Sequence, residues 1–516
     1  MASTPAEAKR YLILLDARLK ARTPEITLWE QYYEGFHRLA FATARFRSVF
    51  GNLFHEFADN WCELVVSASV ERLSINGFRV GEEADEADLD AMRFWNDNCL
   101  NADNRMAHTE AVKLGHAYLL TDGENKAFET ESPLVTIEHP SQAIVLHDPT
   151  NRRHRLAGLK EWVDHNTGKV YATVYMPDAI YRFEAEESNK PEASSGLANS
   201  GLVRTTDYEV SPSSKVGQGI EWVERVGVPF VVPNGLKVVP LIPLMNNPTL
   251  KRGGTSDLSV VIPVQDAVNK TVADMLVASE FAAFAQRWAT GVDVPKDPQT
   301  GLPIARGDFL AGAARIWASE HQDTKFGQFE ASDLKNYVHA IEMYIQHIAA
   351  LTRTPPHYLL GQSGAFPSGD SLTATETGLV AKVNSKKDDF DPTWAETIKL
   401  CFRAAGNEAK AKEVIETLWG DSEQRIRSQR IDGAVKLTTL GVPQQAIWED
   451  ELGATPRQVA RWHKMKKDMG MDENSSEFAV PPPLAEGEKP PPVGPEGNLQ
   501  AEQAATQATR VTRITN

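Results

Sequence analysis

No stretch of the 516-residue chain comes near the ~20 consecutive apolar residues that a membrane-spanning helix needs. The N-terminal apolar cluster, Tyr11 to Leu15, is short and bracketed by Arg10 and Asp16, so no secretion signal is visible either. Cysteine is scarce. Cys62, Cys99 and Cys401 are odd in number and far apart, which fits reduced thiols in a cytosol and offers neither a disulfide framework nor a paired zinc site. Positive charge is also short, with 54 Lys and Arg against 70 Asp and Glu for a formal charge of −16. That balance argues against a protein that grips nucleic acid over its whole surface by releasing counterions. It still suits a conduit, because a strand that is held tightly cannot slide.

Catalytic motifs are missing as well. Asp85-Glu86-Ala87-Asp88 spells the metal-binding tetrapeptide of one helicase class, but the phosphate-cradling loop ending in Gly-Lys-Ser/Thr is absent from the chain. An acidic helix start or a solvated loop explains the tetrapeptide. His108, His116, His139 and His147 belong to no His-Glu-x-x-His helix, and exposed or hydrogen-bonded histidines account for them. Gly361-Gln362-Ser363-Gly364 lacks the Gly-x-Ser-x-Gly spacing of a nucleophile elbow and reads as a flexible loop. Lys386-Lys387-Asp388-Asp389 with Asp391 admits a carboxylate cluster for metal-assisted nuclease chemistry, although mixed charge on a helix is usually a solvated face.

What is present is a clear change of periodicity along the chain. Helical signals lead, with an apolar cluster from Tyr11 to Leu19 and then Thr23-Pro24-Glu25, a cap residue followed by a first-turn proline. From His116 the pattern shifts to short β-branched and aromatic runs: His116 to Thr121, Leu134 to Glu138, Ala143 to His147, Leu159 to Val163, Val170 to Met176 and Ile180 to Glu184. These predict antiparallel β structure. Ser188 to Gly219 is rich in Ser, Gly, Pro and Asn and predicts a mobile excursion. After Pro240 and Pro243, Ser256 is a plausible cap for a long helix carrying Val260, Val264, Val268, Val272 and Leu276. A second helix from near Ser332 carries Leu334, Val338, Ile341, Ile345 and Ile348 at spacings of four and three, either an intrachain core stripe or a seam toward a partner helix. Thr290 to Ala331 is turn-rich, and Arg353 to Asp370 holds too much Gly and Pro to be helical. A third long helix follows from Ser371 to about Ala405, with a kink or break predicted at Asp391-Pro392. Helices continue from about Ser422 to Met469, with Thr455-Pro456-Arg457-Gln458 as a cap. The Pro- and Glu-rich tail beyond Asp472 is expected to be disordered.

Several of these segments together resemble the portal proteins of tailed bacteriophages, in particular the long-tailed branch common among actinobacterial phages. The likeness begins at Tyr32-Tyr33-Glu34-Gly35 and runs through Ala58-Asp59-Asn60-Trp61-Cys62 and Asn76-Gly77-Phe78-Arg79. It resumes at Pro240-Leu241-Ile242-Pro243, Gly254-Thr255-Ser256-Asp257-Leu258, Gln265-Asp266-Ala267-Val268-Asn269-Lys270 and Gln286-Arg287-Trp288-Ala289-Thr290-Gly291. Its last stretch is Thr354-Pro355-Pro356-His357-Tyr358-Leu359-Leu360-Gly361, then Pro367-Ser368-Gly369-Asp370-Ser371-Leu372 and Glu376-Thr377-Gly378-Leu379.

The resemblance implies an α+β portal fold assembling as a ring, expected to be a homododecamer. Residues 1–250 would form a wing, 251–289 a first stem helix, 290–331 a clip, 332–352 a second stem helix and 353–370 a tunnel loop. Residues 371–421 would be a kinked wing helix with its following segment, 422–470 a crown, and 471–516 the tail. The tunnel loop would present Gly361, Gln362, Ser363, Gly364, Ser368 and Gly369 toward DNA, and the clip would present Lys296, Asp297, Gln299, Arg306 and Arg315 to the packaging motor and later the adaptor. Leu334, Val338, Ile341, Ile345 and Ile348 become a candidate subunit seam. The implied partners are double-stranded DNA, the terminase large subunit, the head-tail adaptor, scaffold and major capsid protein. No membrane, metal, cofactor or catalytic residue is implied, and the implied places are the virion's portal vertex and, during assembly, the host cytoplasm. Two alternatives stay open: a metal-dependent nucleic-acid enzyme built on Asp85 and Asp389, and a scaffold or minor capsid component without a channel.

Overall fold

The computed structural model describes residues 3–37, 59–81, 87–124, 132–164, 166–186, 221–251, 253–283, 287–290, 323–328, 333–360, 369–423, 427–454 and 456–468. The first element is a helix, α1 (Pro5–Tyr33), whose true start is Thr4: its hydroxyl accepts the Glu7 N–H at 3.3 Å and Pro5 fills the first turn. The start predicted at Thr23-Pro24 is therefore wrong. Thr23 lies inside the helix and donates its hydroxyl to the Leu19 carbonyl at 3.0 Å, while Pro24 is carried within the continuous helix. After α2 (Cys62–Val70) come β1 (Ile75–Val80), α3 (Leu89–Asp97) and α4 (Leu100–Leu114).

The predicted β region is present, and each predicted run falls on a strand except that Val170 to Met176 passes the end of its strand by one residue. Its strands are β2 (His116–Glu124), β3 (Pro133–Glu138), β4 (Ala143–His147), β5 (Arg155–Asp164), β6 (Lys169–Tyr175), β7 (Ala179–Glu186), β8 (Val223–Glu224), β9 (Val231–Pro233) and β10 (Leu241–Met245). β4 to β8 form an antiparallel meander with β9 also paired to β7, and β10, β2 and β3 form a second sheet. Pro243 is tolerated in β10 because that strand is an edge. Alternation sends Ala157, Leu159, Val170, Ala172, Val174, Tyr181 and Phe183 to one face, where Ala8, Leu12, Leu15 and Leu19 of α1 cover them.

A one-turn 3-10 helix, Asp257–Val260, is capped by Ser256, whose hydroxyl accepts the Leu258 N–H at 3.0 Å, and leads into α5 (Ile262–Ala283). The short strands β11 (Arg287–Thr290) and β12 (Lys325–Gln328) pair antiparallel and so close off residues 291–322 as one insertion. Then α6 (Lys335–Thr352) packs against α5. A single turn, α7 (Pro356–Leu359), precedes residues 361–368, which lie outside the described set. The 36-residue α8 (Gly369–Ala404) passes through Pro392 without interruption, so no break occurs there. α9 (Glu408–Lys412) and β13 (Ile415–Trp419) follow, and β13 returns to pair with β1. The end of the described chain is α10 (Arg427–Thr439), α11 (Gln444–Ala446), a π turn (Ile447–Glu451) and α12 (Pro456–Asp468).

The main core unites Phe78, Phe94, Trp95, Ile345, Ile348, Phe390, Trp394 and Phe402, so α8 is the spine on which the N-terminal helices and the base of the α5/α6 pair are assembled. The chain is thus a mixed helix-and-sheet protein, as α+β implies.

Candidate functional site

The residues expected to meet DNA and docking partners cannot be placed side chain by side chain. Gly361, Gln362, Ser363, Gly364 and Ser368 lie outside the described residues, as do Lys296, Asp297, Gln299, Arg306 and Arg315; of the loop set only Gly369 is reached, as the first residue of α8. The structure instead shows how both ends of the 361–368 segment are held.

On one side, a buried carboxylate joins three elements. Asp257, at the start of the 3-10 helix, accepts from Lys382 Nζ at 2.8 Å and from Lys386 Nζ at 2.9 Å, both on α8. Asn246 Nδ2 and Asn247 Nδ2 donate to the same carboxylate at 3.0 and 2.8 Å. Lys382 Nζ also donates to the Thr352 carbonyl at 3.1 Å, the last residue of α6. Burial works against the charge on Asp257, but the two ammonium groups outweigh it and hold the carboxyl well below the usual range. Lys386 is pulled the other way: its complete burial lowers its pKa, and Asp257 opposes that.

On the other side, Arg72, just beyond the end of α2, joins residues from before and after the segment. Its guanidinium donates to Tyr358 Oη at 2.6 Å and to the Ser422 carbonyl at 3.0 Å, and it pairs with Glu376 of α8 at 3.2 Å. Tyr358 Oη in turn donates to Glu376 at 3.2 Å. The residues just before and just after 361–368 are therefore tied to one arginine.

The charged run at 386–391 reads differently in three dimensions. Lys386 and Lys387 are buried, not solvated; Lys387 Nζ donates to the Gly420 carbonyl and to Ser422 Oγ, each at 2.5 Å. Asp391 accepts the Thr417 N–H at 3.3 Å, and burial raises the pKa of Asp389. These groups clamp α8 to its neighbours and converge on no common cation position. Asp88 caps α3 by accepting the Asp90 and Ala91 N–H groups at 2.9 Å each, the acidic helix start expected, while Asp85 lies outside the described residues.

His108 and His116 are hydrogen-bonded within the fold. Burial pushes His108 down to about 3, and its Nε2 accepts the Trp394 indole N–H at 3.0 Å. His116, also pushed down to about 3 by burial, accepts the Gly254 N–H at 3.1 Å. His139 meets Glu30 at 2.9 Å and Glu110 at 3.3 Å, the one trio of possible metal ligands among the described residues. His139 Nδ1 lies 2.7 Å from Ser141 Oγ, and its Nε2 is directed at the two carboxylates. Burial lowers the pKa of His139, yet its contacts with Glu110 and Glu30 together raise it above the ordinary value, so protonation of the ring strengthens the tie between the three elements. Sequence spacing gave no signal for it, because Glu30, Glu110 and His139 belong to three separate elements.

The candidate seam divides. Ile345 and Ile348 are 4% and 0% exposed inside the chain's own core, and Ile341 packs partly against it; Val338 is 46% exposed. Only the leading half of the stripe, Leu334 to Ile341, can face another subunit.

A family model described as phage portal protein, SPP1 Gp6-like, matches residues 14–469. The chain belongs to the phage portal protein family. Two curated relatives carry the name portal protein: that of Mycobacterium phage D29 is 27% identical over 427 residues, and that of Mycobacterium phage L5 is 26% identical over 427. Each alignment covers 79% of this chain and 79% of the relative. As a phage portal protein, this chain is a DNA-channel component of the capsid and belongs to a structural family. Among the described residues no helix is long and apolar enough to cross a membrane.

Proposed function

We propose that the chain is the repeating subunit of a dodecameric ring at a single capsid vertex, which nucleates the procapsid with scaffold and major capsid protein and passes double-stranded DNA in and out. On this reading α5 and α6 form the stem, and the insertion between β11 and β12 is the clip that docks the terminase large subunit and later the head-tail adaptor. Residues Lys296, Asp297, Gln299, Arg306 and Arg315 would carry that docking. The segment around Gly361, Gln362, Ser363, Gly364, Ser368 and Gly369 would line the channel, and residues 422–470 would form the crown.

The observation that carries this reading is the double mooring. Lys382 links the end of α6 to the entry of α5, and Arg72 links both flanks of the 361–368 segment. Moorings of this kind would keep the flanking helices fixed while a duplex moves past them. The seam proposed between subunits comprises Leu334, Val338 and Ile341.

Light scattering and negative-stain electron microscopy on the purified chain test the proposal. Rings with an axial hole wide enough for a ~20 Å duplex, against a major groove of about 12 Å, are expected. Val338→Asp is the sharper seam probe than Ile341→Asp, because Val338 can be changed without entering the core. V338D should yield a folded subunit that fails to close rings; normal rings from V338D would remove this seam.

A further inference from the structure

The chain as a whole is acidic, with a net charge of −16, yet α12 reads PRQVARWHKMKKD, five basic residues against one acidic. A merely solvated helix face normally mixes its charges. Arg461, Lys464 and Lys467 are all exposed, and none of them is ion-paired among the described residues. Their spacing of three puts them on about one third of the helix circumference. The opposite side is fixed: Val459 is buried, the Trp462 ring packs edge-on against Trp448 at 5.3 Å, and Lys466 Nζ donates to Gln444 Oε1 at 2.6 Å. The basic face is thus presented by a docked helix rather than by a loose tail.

Taking the chain as the DNA-channel component described above, we infer that α12 is a contact surface for the phosphate backbone of duplex DNA outside the channel, with Arg461, Lys464 and Lys467 as its cations. Three cations span about 9 Å of helix, and duplex DNA offers one phosphate charge per about 1.7 Å of its axis. The surface has no means of reading bases, since its chemistry is charge alone; binding is therefore independent of sequence and steeply dependent on salt. A ring repeats the surface once per subunit, so weak single contacts add up along a strand that lies across several of them.

The test uses the full-length protein and covalently closed circular duplex DNA, which has no end to thread into a channel. Filter binding from 50 to 300 mM salt should give a retained complex whose affinity falls with a log–log slope reduced by about 2.7 per engaged subunit in the Arg461→Ala, Lys464→Ala, Lys467→Ala triple variant. Extrapolated from 1 M, that corresponds to a loss of about 500-fold per engaged subunit at 0.1 M salt. The charge-keeping triple variant Arg461→Lys, Lys464→Arg, Lys467→Arg should bind as the parent does. Equal affinity and slope in the alanine variant would overturn the inference, and so would capture on anionic phospholipid vesicles with no retention of circular DNA. Ring formation is scored separately by microscopy. Rings that ignore circular DNA refute this surface and leave the ring reading standing, whereas monomers that bind it by these three residues do the reverse.

Discussion

Replacing Lys386 with methionine keeps the length and apolar stem of the side chain and removes only the ammonium group. Lys386 is completely buried and the Asp257 side chain is 3% exposed, so solvent cannot take over the lost charge. Two opposite charges about 4 Å apart interact by about 4 kcal/mol at an effective dielectric constant of 20. Breaking a buried pair by removing one partner costs about 3–5 kcal/mol. Lys382 still stands 2.8 Å from the other carboxylate oxygen, which favours the lower end, about 3 kcal/mol or roughly 150-fold in the unfolding equilibrium. Urea unfolding of the subunit followed by tryptophan fluorescence measures this directly. Adding Asp257→Asn to Lys386→Met should cost further stability rather than restore it, since Lys382 then loses the carboxylate it pairs with at 2.8 Å. A loss below about 1 kcal/mol for K386M would mean that the cluster is worth no more than an exposed ion pair, and the argument for a rigid joint beneath the loop would fail.

The His139 clamp predicts a pH dependence of the opposite kind. Its folded pKa is raised, so its contribution is fully present below the unfolded value near 6.5 and is lost as pH rises through the raised folded value. Thermal unfolding across that window should show a decline in the parent that flattens in His139→Gln, and parallel curves would contradict the assignment. Gly254 has no room for a side chain, because an added Cβ would overlap the Gly115 carbonyl oxygen, a backbone atom that cannot swing away. Gly254→Ala should therefore cost about 2–3 kcal/mol, near the upper end for overpacking, in the same urea assay.

The sequence made the antiparallel meander legible, since alternating β-branched and aromatic runs bounded by turns report a half-buried sheet directly. Ala143 to His147 matches its strand residue for residue. What stayed hidden depended on partners far along the chain. β1 was not predicted because Gly77 interrupts its pattern and its partner is Ile415 to Trp419, where the Glu416 side chain meets Arg79 at a separation of 337 residues. β10 was obscured by Pro243, which reads as a strand breaker until the strand is seen to be an edge. The start of α1 was misplaced because Thr4-Pro5 and Thr23-Pro24 carry the same local signal, and burial against the sheet rather than capping decides between them. Lys386 and Lys387 were misread for the opposite reason: a charged pair on a helix is usually wet, and nothing local announces that Asp257 and Gly420 wait for them.

The return of β13 to β1 also bears on when the chain can finish folding. Residues 75–80 are made early, yet their strand partner emerges only after some 335 further residues. At about 5–20 residues per second this is a delay of roughly 17 to 70 s on the ribosome. During that interval Phe78 and the apolar side of α3 lack both β13 and α8, the elements that complete their burial. The α5/α6 pair is synthesised within the same interval, so helices able to meet other subunits exist before the body that orients them is closed. Premature association of unfinished chains is then the characteristic hazard of this topology, and host chaperones that cover the exposed surfaces during that interval would be expected to raise the yield of soluble subunit.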